Sequence, residues 1–262
     1  MARILLVGDL HVKTFLLPFI DRAIDDSKPD RVIVLGDYLD DWGVNSKTNL
    51  EGLMRILVWA RGRGDVTLLL GNHDLAYFSR SGNCPGNNLS IQAPVHHLFE
   101  ENLDIVRVAD AEEDWLFTHA GLCSMWAQQY LDTPKNAAEA AEQINVLLCC
   151  QEGLTHLESV GRGRGGWQKP GPLWADWFEL IGDPYPGINQ IVGHTPTEAC
   201  LNKTTSSGEQ LWCCCDTFST TNTGRHIGDG SVLLLDSGAD EVSIVEQADS
   251  VGLDDAYEDY IN

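Results

Sequence analysis

The chain has 262 residues, 43% of them hydrophobic, with 17 Lys and Arg against 39 Asp and Glu, a formal net charge of −22. That is apolar material for one full core and does not demand two domains. So acidic a surface lacks the Lys and Arg excess by which proteins neutralise nucleic-acid phosphates or dock on anionic lipid, so neither nucleic acid nor a membrane is expected as a partner.

In chain order, Ile4–Val7 is a short apolar strand that ends in Gly8-Asp9. It is too short for the apolar stretch of a signal peptide, and no run of about 18 apolar residues predicts a spanning helix. Phe15–Asp26 is predicted helical, and Val32–Leu35 is a second apolar strand ending in Gly36-Asp37. Leu50, Leu53, Met54, Leu57 and Val58 give Asn49–Arg61 a helical spacing. Val66–Leu70 is a third strand, and it ends in Gly71-Asn72-His73-Asp74. Strand, helix, strand, helix, strand at these distances predicts right-handed β-α-β units on a largely parallel sheet, whose carboxyl edge is where ligands bind.

Further on, Ser79–Asn88 reads as a loop, Asp114–Thr118 as a strand ending in His119-Ala120-Gly121, and Thr133-Pro134 as the start of a helix through Asn136–Cys150. Gly161–Gly171 is a loop with most of the local positive charge, and Ile191-Val192 leads into Gly193-His194. Leu211–Cys215 and Val232–Leu235 are expected as late antiparallel strands of a second sheet. The expected organisation is one domain over 1–238, with 133–187 as a helical and loop excursion carrying substrate contacts, and an acidic tail over 239–262. The eight cysteines (Cys84, Cys123, Cys149, Cys150, Cys200, Cys213, Cys214, Cys215) show no CxxC spacing. They read as small, mostly buried apolar residues in a reducing compartment, hence a cytoplasmic protein.

The strand ends collect Asp9, His11, Asp37, Asn72, His73, Asp74, His119 and His194. Carboxylate, imidazole and amide oxygen suit manganese, iron or zinc, with nickel a further option, and no thiolate takes part. Carboxylates at neighbouring strand ends repel unless a cation sits between them, and two metal ions can clamp a phosphoryl group and activate water.

Asp9-Leu10-His11, Gly36-Asp37, Gly71-Asn72-His73-Asp74, His119 and Gly193-His194 resemble, in order, the signature of the calcineurin-like metallophosphoesterases. Pro196 stands where many phosphodiesterases of that superfamily carry a second histidine. Thr118-His119-Ala120-Gly121-Leu122, Gly36-Asp37-Tyr38-Leu39-Asp40 and Pro172-Leu173-Trp174 resemble elements of the phosphoprotein-phosphatase and diadenosine tetraphosphate hydrolase group, of bacterial or bacteriophage type. The resemblance implies an α/β fold: a two-sheet β-sandwich flanked by helices, in four layers. It implies two divalent ions, manganese first. Asp9, His11 and Asp37 would hold one; Asp37, Asn72, His119 and His194 would hold the other, with Asp37 bridging.

By the same resemblance His73 is the general acid, Asp74 orients and charges it, and a metal-bridging hydroxide is the nucleophile. The substrate is then a phosphorylated protein or small phosphoester, and the activity that of a Ser/Thr or Tyr protein phosphatase. Cleavage of dinucleoside polyphosphates is the alternative; a phosphodiesterase or a non-catalytic phosphate-binding scaffold follows behind. The phosphatase pattern usually has an arginine where this chain has Asp41. Arg164, then Arg162, in the glycine-rich 161–166 loop are expected to replace it at the substrate, beside Asn72. Asp40 and Asp41 themselves read as a solvated loop. His96, His97, His156 and His226 read as structural or surface residues, and Trp167, Trp174 and Trp177 as core packing, with the lining of a substrate groove as the alternative.

Overall fold

The structure is a computed structural model and describes residues 1–213, 217–223, 225–245 and 255–256. Its first part alternates strand and helix. It runs β1 (Arg3–Val7), α1 (Leu17–Ser27), β2 (Arg31–Val34), α2 (Ser46–Arg63), β3 (Val66–Leu69), α3 (Asn72–Phe78), α4 (Gln92–Glu100) and the two-residue β4 (Val106–Arg107). The remainder is β5 (Ala109–Glu112), β6 (Trp115–Thr118), α5 (Ser124–Tyr130), α6 (Ala137–Val146), α7 (Gln151–Leu157), α8 (Trp177–Gly182), β7 (Asn189–Val192), β8 (Leu201–Thr204), β9 (Gln210–Cys213), β10 (Val232–Asp236) and β11 (Glu241–Val245).

Two sheets face each other. The first has the order β11-β10-β1-β2-β3-β4 and the second β5-β6-β7-β9-β8. Strands β1 to β4 are parallel. Successive side chains alternate across a strand, so Ile4, Leu6, Ile33, Leu35 and Leu69 point at Trp115, Phe117 and Ile191 of the second sheet. Leu5, Val7, Val32, Val34 and Leu68 point the other way and pack with Leu53, Ile56 and Leu57 of α2. Both faces are covered, which is why these strands are apolar without interruption. On the far side, Val192 and Leu211 pack with Trp177 and Leu180 at α8. The result is helices, sheet, sheet, helices: the expected α/β sandwich in four layers.

Several elements differ from the sequence-based expectation. Asn45 caps α2, its side chain accepting from Thr48 N at 3.0 Å, so this helix begins earlier than its apolar spacing does. Conversely α6 starts only at Ala137, capped by Asn136, because Thr133 has φ 46°, outside helical space. The late strands are also corrected. Strand β10 returns to the first sheet, antiparallel to β1, and places Leu233 and Leu235 between the sheets. Strand β9 lies in the second sheet and is antiparallel to β8, as expected, but its other neighbour β7 runs parallel to it, because β8 intervenes and turns the chain round. Strand β8 is exposed at all four positions and carries no apolar signal. Strand β11 falls inside the stretch read as an acidic tail and forms the sheet's edge. Cys214, Cys215 and most of that tail lie outside the described residues. No helix among the described residues is long and apolar enough to cross a membrane.

Candidate dimetal centre

The site residues follow the carboxyl ends of five parallel strands. Asp9 and His11 follow β1, Asp37 and Asp40 follow β2, Asn72 and His73 open α3 after β3, His119 follows β6, and His194 follows β7. The chain must turn sharply at each edge. His11, Asp37, Asp40 and His194 all take positive φ, between 42° and 74°, a strained backbone of the kind concentrated at functional sites. Glycine permits the close packing. A Cβ at Gly36 would lie 2.6 Å from Gly71 N and 2.8 Å from His119 Nδ1, and one at Gly193 2.5 Å from Asp9 Oδ1.

Two groups of donor atoms result, Asp9–His11–Asp37 and Asp37–His119–His194, and Asp37 belongs to both. His119 Nδ1 donates to Leu35 O at 2.8 Å and His11 Nδ1 to Leu39 O at 2.8 Å. A carbonyl only accepts, so each ring has its Nδ1 protonated and turns Nε2 toward the carboxylates. Around His119 Nε2 lie Asn72 Oδ1 at 2.9 Å, His194 Nδ1 at 3.0 Å and Asp37 Oδ2 at 3.4 Å. Atoms sitting about 2.1 Å from a common ion stand roughly 3 Å from each other, so the spacing fits a shared cation. His194 Nε2, buried, has no hydrogen-bond partner among the described residues. Asn72 Nδ2 donates to Cys84 Sγ at 3.3 Å, which keeps the amide oxygen on the cluster side. Asp9 is buried and receives His194 N at 3.2 Å on both carboxylate oxygens. His11 Nε2 stands 3.8 Å from Asp37 Oδ2.

Electrostatics agree with this geometry. Burial pushes the Asp37 carboxyl up, but the imidazoles of His119, His73 and His11 outweigh it and hold it well below the usual carboxylate range. Burial pushes His119 down, yet Asp37 and Asp9 bring it up to about 9. Such a site competes for cations against its own protons.

The expected partner of His73 is corrected. Asp74 is fully buried, and its carboxylate accepts from Tyr38 N and Gly71 N, both at 2.9 Å. It pins the loops of β2 and β3 together and does not reach the imidazole. Burial and the charge of Asp37 push it up to about 7. Asp40 instead stands with Oδ2 at 3.2 Å from His73 Nδ1, while its Oδ1 accepts from Tyr77 OH at 2.7 Å. Burial pushes His73 down, but the charge of Asp37 and the bond to Asp40 raise it well above the ordinary histidine range.

Nor is Asp41 solvated. It pairs with the fully buried Lys13, Oδ2 to Nζ 3.1 Å, so at the cleft wall its charge is balanced by an ammonium. A helical start to α3 explains the difference at His73: residues 73 and 74 point in different directions there, whereas Asp40 arrives from another loop.

A cleft of about 710 Å³ opens over the cluster, and His73, Asn72 and Arg164 line it. Arg164 Nη2 donates to Thr195 Oγ1 at 2.9 Å and His194 O at 3.3 Å, and its Nε is 3.4 Å from Asp176 Oδ2. Arg162 does not line the cleft. The structure thus brings together Asp9, His11, Asp37, Asn72, His73, His119, His194 and Arg164, and leaves Asp74 and Arg162 outside. Sequence reasoning passed over Tyr77 and Lys13, and it read Asp40 as part of a solvated loop, whereas its carboxylate is buried against His73 and Tyr77. The signal was present for Asp40, three positions beyond the strand-end Asp37. Among the tryptophans, Trp174 and Trp177 are buried, whereas Trp167 is exposed. His96 contacts Phe78 O and Glu100, as a structural residue would.

Among solved structures, the chain is similar to the cold-active protein tyrosine phosphatase of a psychrophile, Shewanella sp. It matches at 16% identity with TM-score 0.58, over 94% of this chain and 81% of that one. A mutant cold-active protein tyrosine phosphatase matches at 17% identity with TM-score 0.59, over 94% and 80%. A metallophosphoesterase from Sphaerobacter thermophilus matches at 15% identity with TM-score 0.46, over 99% and 94%. A search among curated proteins found no match. The model of the calcineurin-like phosphoesterase family matches residues 2–242, nearly the whole chain, so this protein belongs to that family of metal-dependent phosphoesterases.

Proposed function

We propose that the protein is a dimetal phosphomonoesterase acting on phosphorylated protein side chains. The observation that carries this reading is the pair of donor groups sharing Asp37, with His73 and its Asp40 partner at the same cleft. Two divalent cations, when bound, supply an activated water and neutralise charge on the phosphoryl oxygens. Asp9, His11 and Asp37 would hold one, and Asp37, Asn72, His119 and His194 would hold the other. Arg164, fixed by Thr195, binds a phosphoryl oxygen through its planar guanidinium. His73, kept protonated by Asp37 and Asp40, donates its proton to the leaving oxygen, which is the part of the reaction that needs a general acid. A mere phosphate-binding scaffold would not need that proton.

The 710 Å³ cleft is open enough for a side chain presented by a polypeptide. Two of the structural neighbours carry the name protein tyrosine phosphatase, which accords with this reading. Manganese is the expected metal.

The test is metal analysis of the purified protein, followed by phosphate release with added manganese. Substrates are phosphoseryl and phosphotyrosyl peptides, p-nitrophenyl phosphate and diadenosine tetraphosphate. Faster turnover of a phosphopeptide than of the dinucleotide supports the proposal; the reverse order replaces it with a dinucleoside polyphosphate hydrolase.

A further inference from the structure

Arg164 is the only lysine or arginine among the described residues lining the cleft. One guanidinium therefore meets the phosphate, and the remaining wall can recognise something other than charge. The loop after β2 shapes that wall. Asp41, anchored by Lys13, accepts on Oδ1 from Trp42 N at 2.8 Å and from Thr220 Oγ1 at 3.0 Å. The Trp42 indole N–H donates to Thr220 O at 3.1 Å. These bonds tie residues 41–42 to the segment between β9 and β10.

They also hold in the cleft an indole that is 65% exposed. An exposed tryptophan ordinarily keeps its torsional freedom and a hydrated N–H. Here the protein has already satisfied the polar atom and restrained the ring, so stacking costs little further entropy. Pro85, Pro196 and Ile227 line the same cleft and add apolar surface. A flat apolar leaving group gains from such a wall, and a serine side chain has no ring to place there.

We propose that Trp42 forms an aromatic subsite, and that the preferred substrates are aryl phosphates, presented on polypeptide as phosphotyrosyl side chains. This deepens the phosphatase reading and rests on it. Asp41 then serves specificity: its charge at the cleft wall is balanced by Lys13, and its bonds to Trp42 N and Thr220 hold Trp42 in that wall.

The experiment compares the manganese-loaded full chain with Trp42→Ala and Trp42→Phe. It measures kcat/KM on phosphotyrosyl and phosphoseryl peptides of otherwise identical sequence, and on diadenosine tetraphosphate. The parent is expected to favour the phosphotyrosyl peptide. Trp42→Ala is expected to lose about tenfold on it, chiefly in KM, the size of a lost aromatic pair, so that the tyrosyl-to-seryl ratio collapses. Trp42→Phe is expected to keep most of that ratio, and both variants to bind the parent's complement of manganese. A ratio unmoved by Trp42→Ala, or a parent that favours the seryl peptide, overturns the subsite and leaves the phosphatase reading standing. A loss confined to diadenosine tetraphosphate overturns it in favour of a nucleobase occupant. A manganese-loaded parent that releases no phosphate from any monoester overturns the phosphatase reading itself, and the subsite with it.

Discussion

Replacing Asp40 by asparagine separates the two aspartates that the sequence offers as partners of His73. Asp40 Oδ2 is 3.2 Å from His73 Nδ1, and Tyr77 OH donates to its Oδ1 at 2.7 Å. In Asp40→Asn the tyrosine keeps the amide oxygen, so the NH₂ group faces the imidazole and cannot accept its Nδ1 proton. The charge is lost as well. At 3.2 Å and an effective dielectric of about 20, the attraction between a carboxylate and an imidazolium is about 5 kcal/mol. The His73 side chain is 19% exposed, so solvent screening brings this to about 2–3 kcal/mol.

Asparagine at position 40 should therefore lower kcat at neutral pH by roughly a hundredfold, each 1.36 kcal/mol being tenfold. It should also move the alkaline limb of the kcat profile to lower pH, because a histidine less favoured as a cation loses its proton sooner. The assay is the pH dependence of kcat on a phosphopeptide with manganese saturating at each pH. Asp74→Asn provides the contrast, since among the described residues Asp74 accepts only from Tyr38 N and Gly71 N; it should cost stability and leave that limb in place. An Asp40→Asn limb coincident with the parent's, or an Asp74→Asn limb that moves instead, would refute the assignment.

Asp37→Asn is expected to weaken both metals together by isothermal titration with manganese, because both donor groups include Asp37; loss of one ion alone would contradict a shared ligand. Manganese affinity should rise with pH from 6.5 to about 9: His119, raised to about 9, must give up a proton to bind a cation, and fewer protons compete as that value is approached. The same raised value has a sign for the apo protein. The stability it contributes is fully present below the unfolded histidine's 6.5 and is lost as pH rises through about 9, measurable as a falling urea midpoint. Lys13→Met leaves the Asp41 carboxylate buried without its ammonium, which should cost about 3–5 kcal/mol in urea unfolding; the double variant Lys13→Met/Asp41→Leu should recover much of that.

Much of this protein is legible in its sequence because short parallel strands buried on both faces must be apolar throughout, and a polar residue directly after such a run has only the sheet edge to occupy. That reasoning reached Asp9, Asp37, Asn72, His119 and His194 and the first two β-α-β steps. It failed where identity depends on contacts between distant segments. Asp74 is the neighbour of His73 in sequence and Asp40 lies 33 residues away, yet the left-handed turn at Asp40 and the helical start at Asn72 bring the distant carboxylate to the ring. Asp41 looks like a misplaced charge until β1's loop delivers Lys13 to it. Strand β10 could have joined either sheet, and the gap beside β1 chose the first. Local pattern determines which residues stand at an edge; the pairing of one edge with another is a property of the packed chain, since a carboxylate's partner is set by distance in space, which sequence spacing does not encode.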